Sequence, residues 1–424
     1  MKAIKVPGIS SLFISLLLIS SLALFTVAAQ AQTILIRGAT VHTMVEDGTL
    51  ENTDVLISAG KIQKIGRDLT VMQNDVLVID AEGKPLTPGF FAGITGIGIT
   101  EVSAVQESVD SSLSLQEMRP EFTVTPAYNP NSSLIPVTRI EGYSFTLLGA
   151  GTKGSIFGGQ GQMVTLGGGF IGSSVLFINV GRDASMLSGE SRAGQWMLLH
   201  QAMREADNPP ASNEKSLLTR AGRSTLAAYA KNGMKTIFNV DRASDILEVL
   251  RFAKSHGLSP VISGGAEAWL VATELAEAKV AVLLNPLANL PINFDSLGSR
   301  LDNAALLEAA GVTIAISGAG SHNARKQRQM AGNAVSYGLP HEAGIAALTS
   351  NPARIFGSAD EQGFIRKNQP ANVVLWSGDP LEVTSVAEKV IINGKLIPME
   401  SRQTKLRDRY LPLNPKMPRA YIKP

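Results

Sequence analysis

The sequence predicts an α/β fold: a TIM (β/α)8-type barrel over residues 89–357 and a small β-sandwich domain built from both flanks, residues 33–88 and 358–400. Three observations carry this reading. Short apolar runs of buried-strand type alternate with helical periods through the middle of the chain, which is the pattern of parallel βαβ units, and an alternation this long favours a barrel over an open sheet. Short strand-like runs separated by Gly, Asp and Asn turn signals stand at both ends. A chain of 424 residues with 44% hydrophobic content can bury one large barrel and one smaller domain.

The first element, residues 1–31, reads as a signal peptide. Lys2 and Lys5 give a positive start, Leu12 to Val27 is apolar, and Ala29-Gln30-Ala31 supplies a small-x-small cleavage site. The mature chain is then expected to begin near Gln32, exported to the periplasm or secreted. The alternative is an uncleaved anchor, because the apolar run is only slightly shorter than the ~20 residues that span a bilayer. Zero cysteines exclude disulfides, thiolate ligands and a cysteine nucleophile. A net charge of +2, with no basic run before Lys405 to Arg409, argues against a nucleic-acid partner.

In residues 33–88, Ile34-Leu-Ile-Arg, Ala39 to Met44, Asp54-Val-Leu-Ile-Ser, Lys61 to Gly66 and Val76 to Asp80 are strand-length runs. Asn372 to Pro380 and Lys389 to Lys395 form a matching set at the far end, and residues 401–424 are left as a tail. His42 falls in a strand-like run and reads as structural, since nothing near it in sequence offers a second ligand. In the middle, Lys235 to Val240, Ser259 to Gly264, Ala281 to Pro286 and Val312 to Ser317 are strand candidates. Ala243 to Ser255, Ala266 to Ala278 and Asn303 to Ala310 are helical, with Ile246, Leu247, Leu250 and Ala253 sharing one face. His200 and His256 lie in or at the end of helical patterns, where a cationic His256 would suit the helix C-terminus. In a barrel the chemistry belongs at the C-terminal ends of the strands.

The stretch Gly83-Lys-Pro-Leu-Thr-Pro-Gly-Phe-Phe-Ala-Gly-Ile-Thr-Gly-Ile-Gly98 resembles the first barrel strand of the amidohydrolase superfamily, imidazolonepropionase-like and metal-dependent, written G-K-x-L-x-P-G-F-I-D-x-H-x-H. Ala331-Gly-Asn-Ala-Val-Ser-Tyr-Gly-Leu-Pro340, Ala347-Leu-Thr-Ser-Asn-Pro-Ala353 and Leu375-Trp-Ser-Gly-Asp-Pro-Leu381 are similar to phrases of the same family. The resemblance covers essentially the whole mature chain. It implies a hydrolase of carbon–nitrogen bonds other than ordinary peptides, in which a divalent metal polarises a carbonyl and lowers the pKa of bound water toward ~7.

Carried over residue by residue, the resemblance puts Ile94 and Gly96 at the two first-strand histidines, Asn239 at the next histidine, Gly264 where another ligand often appears, and Ala319 at the metal-binding and proton-shuttling aspartate. Of these only Asn239 carries a donor atom, and catalytic zinc normally keeps three protein ligands. No metal is therefore expected at these positions. A replacement site would need Asp241, Glu267 and His322, each just past a barrel strand, and would take zinc or another divalent ion. The structural readings beside it are a helix first turn for Glu267, a helix cap for Asp241 and a polar cluster for His322, Asn323 and Arg325.

Other chemistries find less support. Ser317, Ser321 and His322 lack a nucleophile-elbow motif. Gly158-Gly-Gln-Gly and Gly167-Gly-Gly miss dinucleotide and P-loop spacings, and in the resembling family such stretches form strands and turns of an inserted segment. Two readings stand: an exported amidohydrolase-family hydrolase, weakly active or inactive through ligand loss, and a non-catalytic binding or subunit scaffold. The partners expected are a small molecule at the barrel mouth and a second copy or an active paralogue.

Overall fold

The computed structural model describes residues 32–72, 75–115, 117–152, 155–181, 188–211, 215–318 and 320–411. The expected signal peptide and Ala319 lie outside the described residues.

The N-terminal strands are β1 (Thr33–His42), β2 (Thr49–Ser58), β3 (Lys61–Gly66), β4 (Val76–Asp80) and β5 (Pro85–Pro88). β1 is the hub, antiparallel to β2 and parallel to both β4 and β5. Its apolar residues Ile34 and Ile36 and, after a register shift at Gly38, Ala39 and Val41 join one core with Val55, Ile57 and Leu86.

The second sheet contains β6 (Phe90–Thr95), β8 (Tyr143–Leu148), β10 (Phe157–Thr165), β11 (Phe170–Asn179), β12 (Lys235–Val240), β13 (Ser259–Gly264), β14 (Ala281–Leu284) and β15 (Ile314–Ile316). A two-stranded ladder, β7 (Ser112–Leu113) with β9 (Gly151–Thr152), lies beside it. Neighbours run parallel from β11 to β15 and between β6 and β8. β10 is antiparallel to both of its neighbours, so the barrel departs from a uniform βα repeat at one strand. The glycine-rich stretches lie here, in β10 and in the turn to β11, and none forms a phosphate loop. A Cβ on Gly161 would fall on the Leu148 carbonyl oxygen, so glycine lets the backbones approach.

The sheet is nearly closed. Between β15 and β6 the segment at Ala347 and Leu348 serves both edges: its carbonyls accept from Ile316 N–H (3.1 Å) and Phe91 N–H (2.7 Å). The Gln327 side-chain amide donates to the Ala92 carbonyl (3.1 Å) across the same seam. Burial follows the pleat. Ile237, Val261, Leu283 and Ala315 join Phe91, Phe145 and Phe177 in the lumen cluster, while Phe238, Ile262, Leu284 and Ile316 face the helices. Those helices include Arg192–Asp207, Arg220–Asn232 and Ala243–His256.

The chain then returns to the first sheet through β16 (Val373–Trp376), β17 (Ala387–Ile392) and β18 (Lys395–Leu396). β16 pairs antiparallel with β5, so strands from both ends of the chain form one continuous eight-stranded sheet. Trp376 locks the junction. Its indole N–H donates to Thr87 Oγ1 (2.9 Å) and its ring lies 5.0 Å from that of Phe90. Part of the expected tail, Arg402–Tyr410, is a helix begun by a capping box at Ser401 and Thr404.

Candidate functional site at the barrel mouth

The pleat dictates which residues form the top layer of the lumen. Counting on by two from the inward Phe177, Ile237, Val261, Leu283 and Ala315 gives Asn179, Asn239, Ser263, Asn285 and Ser317, and all five line a cavity of about 520 Å³ at the strands' C-terminal ends. Ile94 packs against the lumen cluster on the β6 side. This is the layer from which the fold presents catalytic groups.

Its groups are mostly amides and hydroxyls, and they hold one another. Asn239 Nδ2 donates to Asn179 Oδ1 (2.7 Å), and Asn179 Nδ2 donates to the Ser155 carbonyl (3.1 Å). Asn285 Oδ1 accepts from Leu287 N–H (3.0 Å) and shapes the loop that follows β14. Ser317 Oγ accepts from Ile94 N–H (2.9 Å), and Ser321 Oγ accepts from Gly96 N–H (2.8 Å). The first-strand positions therefore meet the rest of the mouth through their backbones.

Space at two of these positions is also closed. A Cβ on Gly96 would lie 2.8 Å from Thr100 Oγ1 and 3.2 Å from Ser321 Oγ. Gly264 has φ +98°, and a Cβ there would lie 2.6 Å from Asp241 Oδ1. That backbone region favours glycine, so a ligating side chain at residue 264 is excluded by conformation as well as by crowding.

The three candidates for a replacement site divide. Asp241 lines the cavity, and its Oδ1 accepts from Ala266 N–H (3.1 Å). Glu267 is next to it in space, since Glu267 N–H donates to the Asp241 carbonyl (2.9 Å), but its carboxylate is committed to backbone. Oε2 accepts from Ala243 N–H (3.0 Å) at the start of Ala243–His256, and Oε1 accepts from Gly298 N–H (2.9 Å). Glu267, and not Asp241, thus satisfies an orphan donor at that helix start. His322 is exposed on the 3₁₀ turn Ser321–Lys326, where its carbonyl accepts from Arg325 (3.1 Å). Among the described residues no three His, Cys, Asp or Glu side chains are grouped to hold a metal ion, so Asp241, Glu267 and His322 do not form such a cluster. The amides and hydroxyls of the top layer are not the histidine and carboxylate ligands that a catalytic zinc takes, and the two carboxylates of the wall are engaged elsewhere, Asp241 by Ala266 N–H and Asp295 by Arg192.

The mouth's charge is managed from the helix Arg192–Asp207. Arg192 pairs with both Asp295, which lines the cavity, and Asp245. Burial raises the Asp245 carboxyl pKa against the opposing pull of Arg192.

Two features lie beyond what sequence reasoning reached. His42 is surrounded by groups brought from about 300 residues away: its Nδ1 is 3.1 Å from Glu342 Oε1, and His341, 6.4 Å off between ring centroids, pairs with Asp379 (3.0 Å). His200 Nδ1 and His256 Nε2 meet at 3.0 Å between two helices. Asn179, Asn285, Asn293 and Asp295 also escaped notice; Asn285 lies in the strand candidate Ala281 to Pro286, whereas the strand that carries Asn179 was not among the candidates.

The fold and mouth define a barrel protein of the TIM-like α/β class with its cavity at the strands' C-terminal face. The model of the amidohydrolase family matches residues 214–397. A crystal structure of an amidohydrolase from Thermotoga maritima MSB8 superposes with TM-score 0.73 at 25% identity, covering 86% of this chain and 99% of that one. A variant of atrazine chlorohydrolase TrzN from Arthrobacter aurescens TC1, complexed with zinc and atraton, shares the fold at TM-score 0.51 and 14% identity, covering 89% and 98%. The amidohydrolase tasK of Hapsidospora irregularis is 38% identical over 58 residues, which are 14% of this chain and 6% of that protein. The chain is thus similar to amidohydrolases in sequence over residues 214–397 and in fold over most of its length.

Proposed function

We propose that this chain is an exported amidohydrolase-family protein whose barrel mouth binds a small polar molecule without the family's metal-assisted hydrolysis. One observation carries the reading. The five top-layer positions contributed by β11 to β15 are Asn179, Asn239, Ser263, Asn285 and Ser317, groups that donate and accept hydrogen bonds but do not assemble a catalytic metal centre. Without a metal, water at the mouth keeps its ordinary acidity. Among the described residues no imidazole lines the cavity to serve Ser317 as a base. Neutral donors and acceptors fill the top layer around about 520 Å³, with the carboxylates Asp241 and Asp295 in the wall, and this lining suits a polar ligand rich in amide or hydroxyl groups.

A second reading, a weakly active hydrolase of carbon–nitrogen bonds other than ordinary peptides, is favoured by likeness to the family and by Asp241 in the cavity wall. Elemental analysis after dialysis separates the two. The proposed reading expects no stoichiometric zinc, iron or manganese and no turnover of typical amidohydrolase substrates; about one tightly held metal per chain, the number a mononuclear site takes, would favour the second. In either case the chain would be a candidate subunit beside an active paralogue.

The same proposal includes cleavage of residues 1–31 and division into a composite β-sandwich domain, 33–88 with 358–400, around a barrel, 89–357. The charged start, apolar run and small-x-small site support the first, and the shared sheet supports the second.

A further inference from the structure

The loop that leaves β14 departs from an ordinary soluble surface. Between Asn285 and Ser299 it exposes Leu287, Leu290, Ile292, Phe294 and Leu297, with Ile292 at 86% and Phe294 at 85% of their full accessible area. Leu270, also exposed, belongs to the turn Ala268–Val271, which is tied to this loop because Trp269 Nε1 donates to the Gly298 carbonyl (2.8 Å). Single exposed apolar residues are normal, but a contiguous group of this size marks an interaction site.

The loop is held in place. Asn293 Oδ1 accepts from Asp295 N–H (2.8 Å), Glu267 Oε1 accepts from Gly298 N–H (2.9 Å), and Asp295 pairs with Arg192. The apolar side chains are therefore displayed by an anchored backbone, so covering them carries a small ordering cost.

We propose that this face docks a second copy of the chain. Two observations select that occupant. The first is charge: residues 285–299 contain one charged side chain, Asp295, and it is already paired with Arg192. Depletion of charge is the signature of the centre of a protein interface. A membrane-surface site would instead bring several free Lys or Arg to the patch; the one cation at its edge, Arg300, lies over the Trp269 ring and is paired with Asp302. The second is area. At roughly 200 Å² for a fully exposed large side chain, the six exposures offer on the order of 800 Å², about what each partner contributes to a standard interface. An uncharged apolar patch is complementary to itself, as a two-fold isologous contact requires. Asn293 and Asp295 of the same loop line the mouth, so docking places the partner at the rim of the cavity. The inference is independent of whether that cavity hydrolyses or only binds.

Sedimentation velocity of the mature chain tests it. The expected result is a dimer with Kd on the order of 1 µM. The double variant Ile292→Asp, Phe294→Asp should dimerise at least about 30-fold more weakly, the effect of losing an interface hot spot. Because both positions are exposed, its circular dichroism and melting temperature in the monomeric state should match those of the parent. A chain that stays monomeric at about 100-fold above that Kd, or a variant that dimerises as well as the parent, overturns the proposal. A monomer that co-sediments with phospholipid vesicles overturns it too and assigns the patch to lipid. The absence of native cysteines permits a second measurement. Phe294→Cys should form a disulfide-linked dimer under mild oxidation, while Val383→Cys, exposed on a different loop, should not. Equal cross-linking at the two positions would count against the two-fold contact.

Discussion

The two ends of β6 are governed by different rules. Phe90 and Phe91, at its start, are fully buried on opposite faces, one among the helices and one in the lumen, and Phe90 stacks near Trp376 where the two chain ends meet. At the other end Ile94 packs its side chain against the lumen cluster, and Ile94 and Gly96 donate their backbone N–H groups to Ser317 and Ser321. The start needs only shape and apolarity, which many residue combinations supply. Metal chemistry at the end needs particular donor atoms in a particular geometry. A barrel can therefore keep its scaffold whatever groups its mouth presents, and fold-level likeness does not fix what a site does.

The sharpest way to break this comparison is to damage the scaffold where the termini join. Trp376→Ala removes a fully buried indole, leaves Thr87 Oγ1 without its donor, and empties the space that keeps residue 142 a glycine, whose Cβ would collide with the indole. The expected loss is about 3–5 kcal/mol, read by urea denaturation. A loss below about 1 kcal/mol, the range of a tolerated swap, would mean that the junction is not what holds the fold.

Much of this scaffold was legible in the sequence because it is written in local patterns. Lys235 to Val240 and Ser259 to Gly264 coincide with β12 and β13, and Ala243 to Ser255 stops one residue short of the observed helix. Where chain direction depends on distant pairing, pattern said less. Nothing local marks β10 as antiparallel, and Ala266 to Ala278 divides into the turn Ala268–Val271 and the helix Ala272–Glu277. The mouth was half legible. Phrase alignment points to Ile94, Gly96, Asn239 and Gly264 as positions to inspect, but the roles of other groups do not follow from it: Glu267 caps a helix that begins 24 residues earlier, and His42 meets Glu342 across the chain. Such pairings exist only once the fold has formed.

A smaller effect tests the junction electrostatically. His42 has its pKa lowered from the ordinary value, by burial first and against the upward pull of Glu342; His341 lowers it further and Asp379 raises it. His256 is lowered as well, by burial and then by His200. For a base with a depressed folded-state pKa the unfolded chain takes up the proton first as pH falls. The stabilisation is thus complete above about pH 6.5 and declines below it, flattening once the folded-state pKa is passed. Melting temperature should fall between about pH 7.5 and 5.5, and the fall should be shallower in His42→Asn. A parallel slope in the variant would remove His42 from the account.

The smallest expected effect lies at the mouth's edge and decides what His322 is for. Its side chain is exposed on Ser321–Lys326, and the hydrogen bond that ties the residue to this turn is accepted by its backbone carbonyl from Arg325, a contact that alanine keeps. Exposed substitutions away from caps, cores and buried pairs usually stay within about 0.5 kcal/mol, so His322→Ala should leave stability nearly unchanged. Under the binding reading it should also leave metal content and ligand affinity unchanged, because His322 is not among the cavity's lining residues. Under the replacement-site reading the same substitution removes a donor from a three-residue set and should strip both metal and activity while the fold persists. Paired elemental analysis and denaturation of this one variant therefore sharpen the contrast between scaffold and mouth: a silent His322→Ala leaves the amides as the working groups, and a metal lost with it would return chemistry to the rim.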